Sequence, residues 1–342
     1  MFNRNSILRL IAFVAVSLLA NSAVGQDVMP RMDQDSSLNN LVHPPETETC
    51  EFGELGRVDK VGSGSRSMIL IAGSGFGGNV FDGFMKQFAT EFTMYSVTLP
   101  GYGGTKPLPM PSEGTSYGDL TWHKSAQTGI EQLIENENLV EPIIIAHWVN
   151  ATVIALRMGL DHPDQIGGVV IVSGVPRYLS MMPTMPTPEN PAERASLVDN
   201  MMAPMWFKTV TRATWDDNNF LPADYAIHPL RGLQRWLDAS SATLPVHVRY
   251  LCETWAQDIT TELHELRVPT LVIQPQLDEA YVSMPKTGEY LDMMLYQAWE
   301  GVAEKNDRIQ FERIENARVS IMDDRPKLLS DAVQRFVDDA KN

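Results

Sequence analysis

The chain has 342 residues, enough for one large α/β domain with an insertion or for two smaller domains. Its hydrophobic share of 44% and charged share of 20% are those of an ordinary globular protein. A net charge of −16 repels phosphate backbones and anionic lipid, so it argues against nucleic-acid and membrane-surface roles.

Residues 1–25 carry Arg4 and Arg9, an apolar run from Leu10 to Ala20, and the small-x-small end Ala23-Val24-Gly25. This pattern predicts a signal peptide cleaved before Gln26, an exported (periplasmic or secreted) protein, and no stable membrane insertion after cleavage. Export permits a disulfide between Cys50 and Cys252, though their separation alone does not require one. Residues 26–48 read as a flexible lead-in, and 49–342 as the folded domain.

Cys50 to Val61, followed by Gly62-Ser-Gly-Ser, predicts an edge hairpin. Ser67 to Ala72 predicts a buried strand, which runs into the glycine-rich loop Gly73-Ser74-Gly75-Phe76-Gly77-Gly78 ahead of a helix from about Val80 to Thr90. These glycines do not give G-x-G-x-x-G, and no acid ends the next strand, Phe92 to Leu99, to hold a ribose. The loop therefore reads as backbone amides facing a developing oxyanion, with no nucleotide or other cofactor expected. A helix is predicted from about Leu120 to Glu137.

The strand Ile143–Ile145 breaks at Ala146-His147, and a helical pattern begins at once toward Asp161-His162-Pro163. A buried strand, Gly168 to Ser173, follows. Strand, sharp turn, helix, strand is the setting of a nucleophile elbow. Residues 175–266 change character and predict an inserted helical lid. Amphipathic stretches there (Glu193 to Val210, Leu230 to Ala239, Val246 to Leu263) and Trp206, Trp215, Trp236 and Trp255 suggest an aromatic underside, most of it used in helix packing. Strands resume at Pro269–Gln274 and Ile309–Ile314, and a last helix covers Lys327–Asp338. Alternating strands and helices predict a mostly parallel sheet with helices on both faces and ligands beyond the strands' carboxyl ends.

Ile71-Ala72-Gly73-Ser74, the turn Leu99-Pro-Gly-Tyr-Gly-Gly-Thr105 and the segment Asp161 to Ser173, in this order and with a lid after Ser173, resemble the α/β-hydrolase superfamily over roughly Cys50 to Ala340. The resemblance implies a Ser-His-Asp triad, and here its positions do not match. Reading the elbow forward places Trp148 at the nucleophile. Reading it backward from Asp161-His162-Pro163 places Val149 there, and a dehalogenase-like register places His147. Thr152 has the nearest hydroxyl but lies in the first helical turn. The acid position falls on Asp278 and the base position on Val319, which can neither take nor return a proton.

His147 reads as a histidine satisfied by backbone, Trp148 as a plug, and Asp278 as structural. Residues 215–220 read as a solvated turn. His123, His228 and His247 have no link to the site by spacing, and no metal-type Cys/His spacing occurs. The resulting expectation is a binding protein or degenerate hydrolase whose pocket, formed by Gly73, Ser74, Gly75, Phe76, His147, Trp148, Val149 and Val319, holds a small apolar or aromatic molecule. The alternatives are an ester or lactone hydrolase with displaced catalytic residues, or a cofactor-free lyase or isomerase.

Overall fold

The computed structural model describes residues 48–50, 54–179, 187–218, 220–283 and 288–339. The expected signal peptide and nearly all of the lead-in segment lie outside the described residues. Two compact units divide the chain, residues 1–42 with 210–219, and residues 43–209 with 220–342. In the first, the described part contains a short helix, Arg212–Asn218, whose first turn is closed by the Thr211 hydroxyl accepting from Thr214 N at 3.2 Å. All that follows concerns the second unit.

Its centre is an eight-stranded sheet in the order β1-β2-β4-β3-β5-β6-β7-β8. Strands β1 (Glu48–Cys50) and β2 (Arg57–Val61) pair antiparallel, and β2 runs antiparallel to β4 (Phe92–Thr98). The remaining neighbours are parallel: β3 (Arg66–Ala72) with β4 and with β5 (Ile143–His147), then β6 (Gly168–Val172), β7 (Thr270–Gln276) and β8 (Ile309–Glu315). Runs such as Met68-Ile-Leu-Ile-Ala72 are buried throughout because helices cover both faces. The outermost strand β8 buries only Ile309 and Ile314, as an edge should.

Helices α1 (Asp82–Phe88), α2 (Thr121–Asn136) and α3 (Val149–Asp161) follow β3, β4 and β5. Trp122, Ala126, Ile130 and Leu133 of α2 and Val153, Ile154 and Leu156 of α3 share a core with Ile69, Ile71, Val97 and Ile144. The chain leaves β3 toward β4 on one side and returns to β5 on the other. The carboxyl ends of β3 and β5 therefore flank a topological switch point, the place where open α/β sheets bind ligands.

Between β6 and β7 come helices α4 (Pro191–Leu197), α5 (Ala203–Thr209), α6 (Pro222–Tyr225), α7 (Pro229–Ser240) and α8 (Leu244–Trp255). Proline opens α4, α6 and α7, where its missing N–H costs nothing, and Asn190 caps α4 by accepting from Ala192 N and Glu193 N at 2.9 and 3.1 Å. The amphipathic stretch Glu193–Val210 is interrupted by the wider-wound turn Val198–Met202 between α4 and α5. Trp206 meets Trp255 edge-on at 6.1 Å, helix to helix, and Trp255 also stacks on Tyr178 of the segment after β6 with ring centroids 5.3 Å apart. No helix among the described residues is long and apolar enough to cross a membrane.

Candidate functional site

Ala72 and His147 face each other across the ends of β3 and β5, and Gly73 N–H donates to the His147 carbonyl at 3.0 Å. Directly after His147 the backbone turns through Trp148 at φ 71°, a left-handed conformation that an L side chain adopts only under constraint. Val149 already opens α3. Trp148 thus holds the vertex, which corrects the registers that put Val149 or His147 there. The indole is 2% exposed and meets the Phe220 ring edge-on at 5.4 Å. Thr152 is occupied elsewhere: its hydroxyl donates to the Trp148 carbonyl at 2.8 Å.

The glycine loop closes over this turn. Gly75 sits at φ 95°, and a Cβ there would lie 2.4 Å from the Ala239 carbonyl oxygen of α7, so only glycine lets the two backbones approach. Ser74 N–H, one of the amides expected to face an oxyanion, donates instead to Asn150 Oδ1 at 2.5 Å, and Ser74 Oγ approaches the same oxygen at 3.1 Å. Phe76 is buried with its ring 5.2 Å from the His147 imidazole.

His147 is fully buried, and its Nε2 lies 3.2 Å from the Val319 carbonyl. A carbonyl only accepts, so Nε2 carries the hydrogen and Nδ1 is bare, without a partner. Burial, opposed by the Val319 carbonyl, pushes the imidazole down to about pH 4, leaving it neutral in ordinary conditions. The buried Val319 takes part through its backbone alone. Asp278 accepts from Tyr281 N at 2.8 Å as the cap of the short helix Glu279–Val282 and pairs with Arg318 Nη2 at 2.8 Å. The Tyr281 amide and that guanidinium hold its carboxyl below the usual range. At Trp148, Val319 and Asp278, no hydroxyl or thiol meets an imidazole.

A different set of groups does meet, where α8 crosses the start of α2. The turn at Leu120 is left-handed, at φ 55°, and gives α2 no side-chain cap of its own. Glu253 of α8 supplies one: its carboxylate, 0% exposed, accepts from Trp122 N at 3.1 Å, His123 N at 3.0 Å and the Thr121 hydroxyl at 3.0 Å. It also takes His123 Nδ1 at 2.8 Å and Arg249 Nε at 2.8 Å. Burial alone would raise its pKa, but His123, Arg249 and the Trp122 amide outweigh burial and bring it down to about 2. Beyond the imidazole, His123 Nε2 lies 3.3 Å from the hydroxyl of Thr254, which donates to the Tyr250 carbonyl at 2.9 Å.

Carboxylate, imidazole and hydroxyl thus lie in succession, and His123 forms part of the wall of a cleft of 270 Å³ whose lining also includes Lys124, Val153, Ile154, Arg157 and Gln257. Sequence reasoning left His123 unconnected because its partners lie far along the chain. The available signal was an acid, Glu253, set among Cys252, Thr254 and Trp255 on a buried helix.

No family model matches the chain. Among curated proteins, it is 26% identical over 118 residues to a protein of Klebsiella pneumoniae named pimeloyl-[acyl-carrier protein] methyl ester esterase, covering 34% of this chain and 40% of that protein. The protein of the same name from Aeromonas hydrophila is 23% identical over 228 residues, 65% of this chain and 80% of the relative. The chain spans about two fifths of the length of the first curated relatives that it matches. Among solved structures, a bromoperoxidase from Bacillus anthracis superposes with TM-score 0.57 at 16% identity, covering 86% of this chain and 100% of that one. E-2-(acetamidomethylene)succinate hydrolase gives TM-score 0.57 at 15% identity over 86% and 99% of the two chains. The chain has the α/β-hydrolase fold.

These findings correct the expectation that this α/β-hydrolase-fold protein is a binding protein or degenerate hydrolase. The curated relatives are named as esterases, and hydrolases recur among the structural neighbours. The expectation weighed only the family's triad positions, whereas an imidazole, a carboxylate and a hydroxyl lie together elsewhere on the same scaffold. The alternative of an ester hydrolase with displaced catalytic groups fits better.

Proposed function

We propose that this chain is an exported hydrolase of small esters, periplasmic or secreted, working in the cleft beside α2 and α3 with His123 as general base. The observation that carries this reading is the buried Glu253–His123 pair, whose His123 is among the residues that line that cleft. An ionised Glu253 holds the hydrogen on Nδ1 and leaves Nε2 as the basic nitrogen. Nε2 draws a proton from a water in the cleft, and the resulting hydroxide adds to the ester carbonyl. As the tetrahedral adduct collapses, the same proton passes from Nε2 to the departing alkoxide, giving acid and alcohol. While the imidazole is protonated, Nε2–H can donate to Thr254 Oγ, whose own hydrogen remains on the Tyr250 carbonyl. The name of the curated relatives favours a methyl or other short alkyl ester, and Val153 and Ile154 offer apolar walls for its hydrocarbon part.

A second reading has support in the 3.3 Å contact of His123 with Thr254: the hydroxyl itself is the nucleophile, giving up its bond to Tyr250 and forming an acyl-enzyme. Thr254→Ala separates the two, since it abolishes turnover only in the second. For either reading His123→Gln lowers kcat/KM for short p-nitrophenyl and methyl esters by about 10²–10⁴-fold, the range for loss of a positioned base, with unchanged circular dichroism. Trp148→Phe retains turnover. If His123→Gln, folded, hydrolyses as fast as wild type while Trp148→Phe does not, the chemistry belongs to the elbow and the proposal fails.

A further inference from the structure

Helix α7 is amphipathic in an inverted sense. The face turned to the molecule carries Gly232, Arg235, Ala239 and Ser240, with the Arg235 guanidinium held by Asp323 at 2.6 and 2.9 Å. Leu230, Leu233 and Leu237 are instead 50%, 37% and 50% exposed. Positions i, i+3 and i+7 lie on one side of a helix, so the three leucines form a continuous stripe in water.

The segment before α7 widens this surface. A Cβ on Gly232 would lie 2.3 Å from the Pro222 carbonyl oxygen, so α7 and the start of α6 are in close contact. Leu221 and Ile227, at either end of α6, are 43% and 46% exposed. Five of the ten exposed large hydrophobic side chains among the described residues thus fall within 221–237. They present on the order of 400 Å² of apolar surface, a size that on soluble chains marks a binding surface.

Charge and area both point to a second copy of this chain. Exposed Arg231 and partly exposed Asp238 are seven positions apart, so a cation and an anion sit on one flank of the stripe at opposite ends. Asp238 also accepts from Gln234 Nε2 at 2.9 Å in its own helix. A two-fold axis near Leu233 and Gln234 sets Leu230 against Leu237 of the other copy, and Arg231 beside its Asp238, twice over. Anionic lipid is repelled by the net charge of −16, and neutral lipid brings no cation to Asp238. Two such faces bury about 800 Å² of apolar surface. With apolar atoms making up about three-fifths of an interface, the whole contact comes to about 1,300 Å², the low end of specific complexes. We propose that α7 is the contact helix of a two-fold homodimer with micromolar affinity.

Sedimentation equilibrium of the full chain at about 0.15 M salt, where charge is screened within about 8 Å, is expected to show monomer and dimer exchanging over roughly 1–100 µM. Leu233→Glu, with unchanged circular dichroism, weakens association at least about tenfold. Gln234→Cys, beside the axis, gives a disulfide-linked dimer on mild oxidation, whereas Glu135→Cys on α2 gives no more than wild type. A monomer at every concentration overturns the proposal, as does a dimer unaffected by Leu233→Glu or not trapped through Gln234→Cys. A monomer that floats with phosphatidylcholine vesicles also overturns it and gives the stripe to lipid.

Discussion

Trp148 puts an indole where the backbone turns at φ 71°, and packing against Phe220 offsets a conformation costing on the order of 1–3 kcal/mol. Installing a hydroxyl there does not rebuild a nucleophile. Trp148→Ser is expected to show no labelling by a fluorophosphonate, because Val319 offers no side-chain base and Asn150 Oδ1 already holds the Ser74 amide. Labelling of that variant, read on a gel against wild type, would instead identify His147 Nδ1 as a working base. The residue identities at this turn were plain in the sequence, and so was the uncertainty of register, since the elbow read forward gave Trp148 and read backward from Asp161-His162-Pro163 gave Val149. Only the backbone angle decides between them. Asp278 shows the complementary case. Its family position marked it as an acid, but its partner, the Arg318 guanidinium, comes from forty residues along the chain on another loop.

Helix α2 illustrates how far a single element can depend on another. Thr121–Asn136 begins after a left-handed residue, and Glu253 of α8 satisfies its first amides. Glu253→Ala therefore removes a helix cap and leaves Arg249 and His123 without their carboxylate. The expected loss, by urea denaturation, is about 3–5 kcal/mol, with Glu253→Gln losing less because an amide oxygen still accepts. A loss below about 1 kcal/mol would show that α2 is held by packing alone. The strands were legible because buried parallel strands read as unbroken apolar runs. Ala72 ends β3 as expected, β4 and β6 end within one residue of the positions read from sequence, and β5 runs two residues past Ile145 to His147. The α2–α8 contact was not legible, since it joins residues 130 positions apart through a polar network that leaves no periodicity in either helix.

For the molecule as a whole, two buried groups set how stability answers to acid. His147 titrates near 4 in the folded chain against 6.5 for an ordinary histidine, so it contributes stability in full above 6.5. Between pH 6.5 and about 4 the unfolded chain binds a proton that the folded chain refuses, and stability falls by about 1.4 kcal/mol per pH unit from this group. Glu253, depressed from 4.5 to about 2, adds its loss below pH 4.5 and keeps losing toward pH 2. His147→Gln should flatten the upper part of this profile, measured as unfolding free energy between pH 7 and 4.5, and leave the lower part. A slope unchanged by the substitution would place the acid sensitivity elsewhere.

The thirteen residues of α3 serve both regions, with the strained turn at their head and Val153, Ile154 and Arg157 along the cleft wall. The rod cannot swivel to relieve its first peptide without carrying that wall with it. Stoppering the old mouth of the sheet therefore also fixes the floor on which a substrate would lie, and a chain that reopened the one would have to rebuild the other.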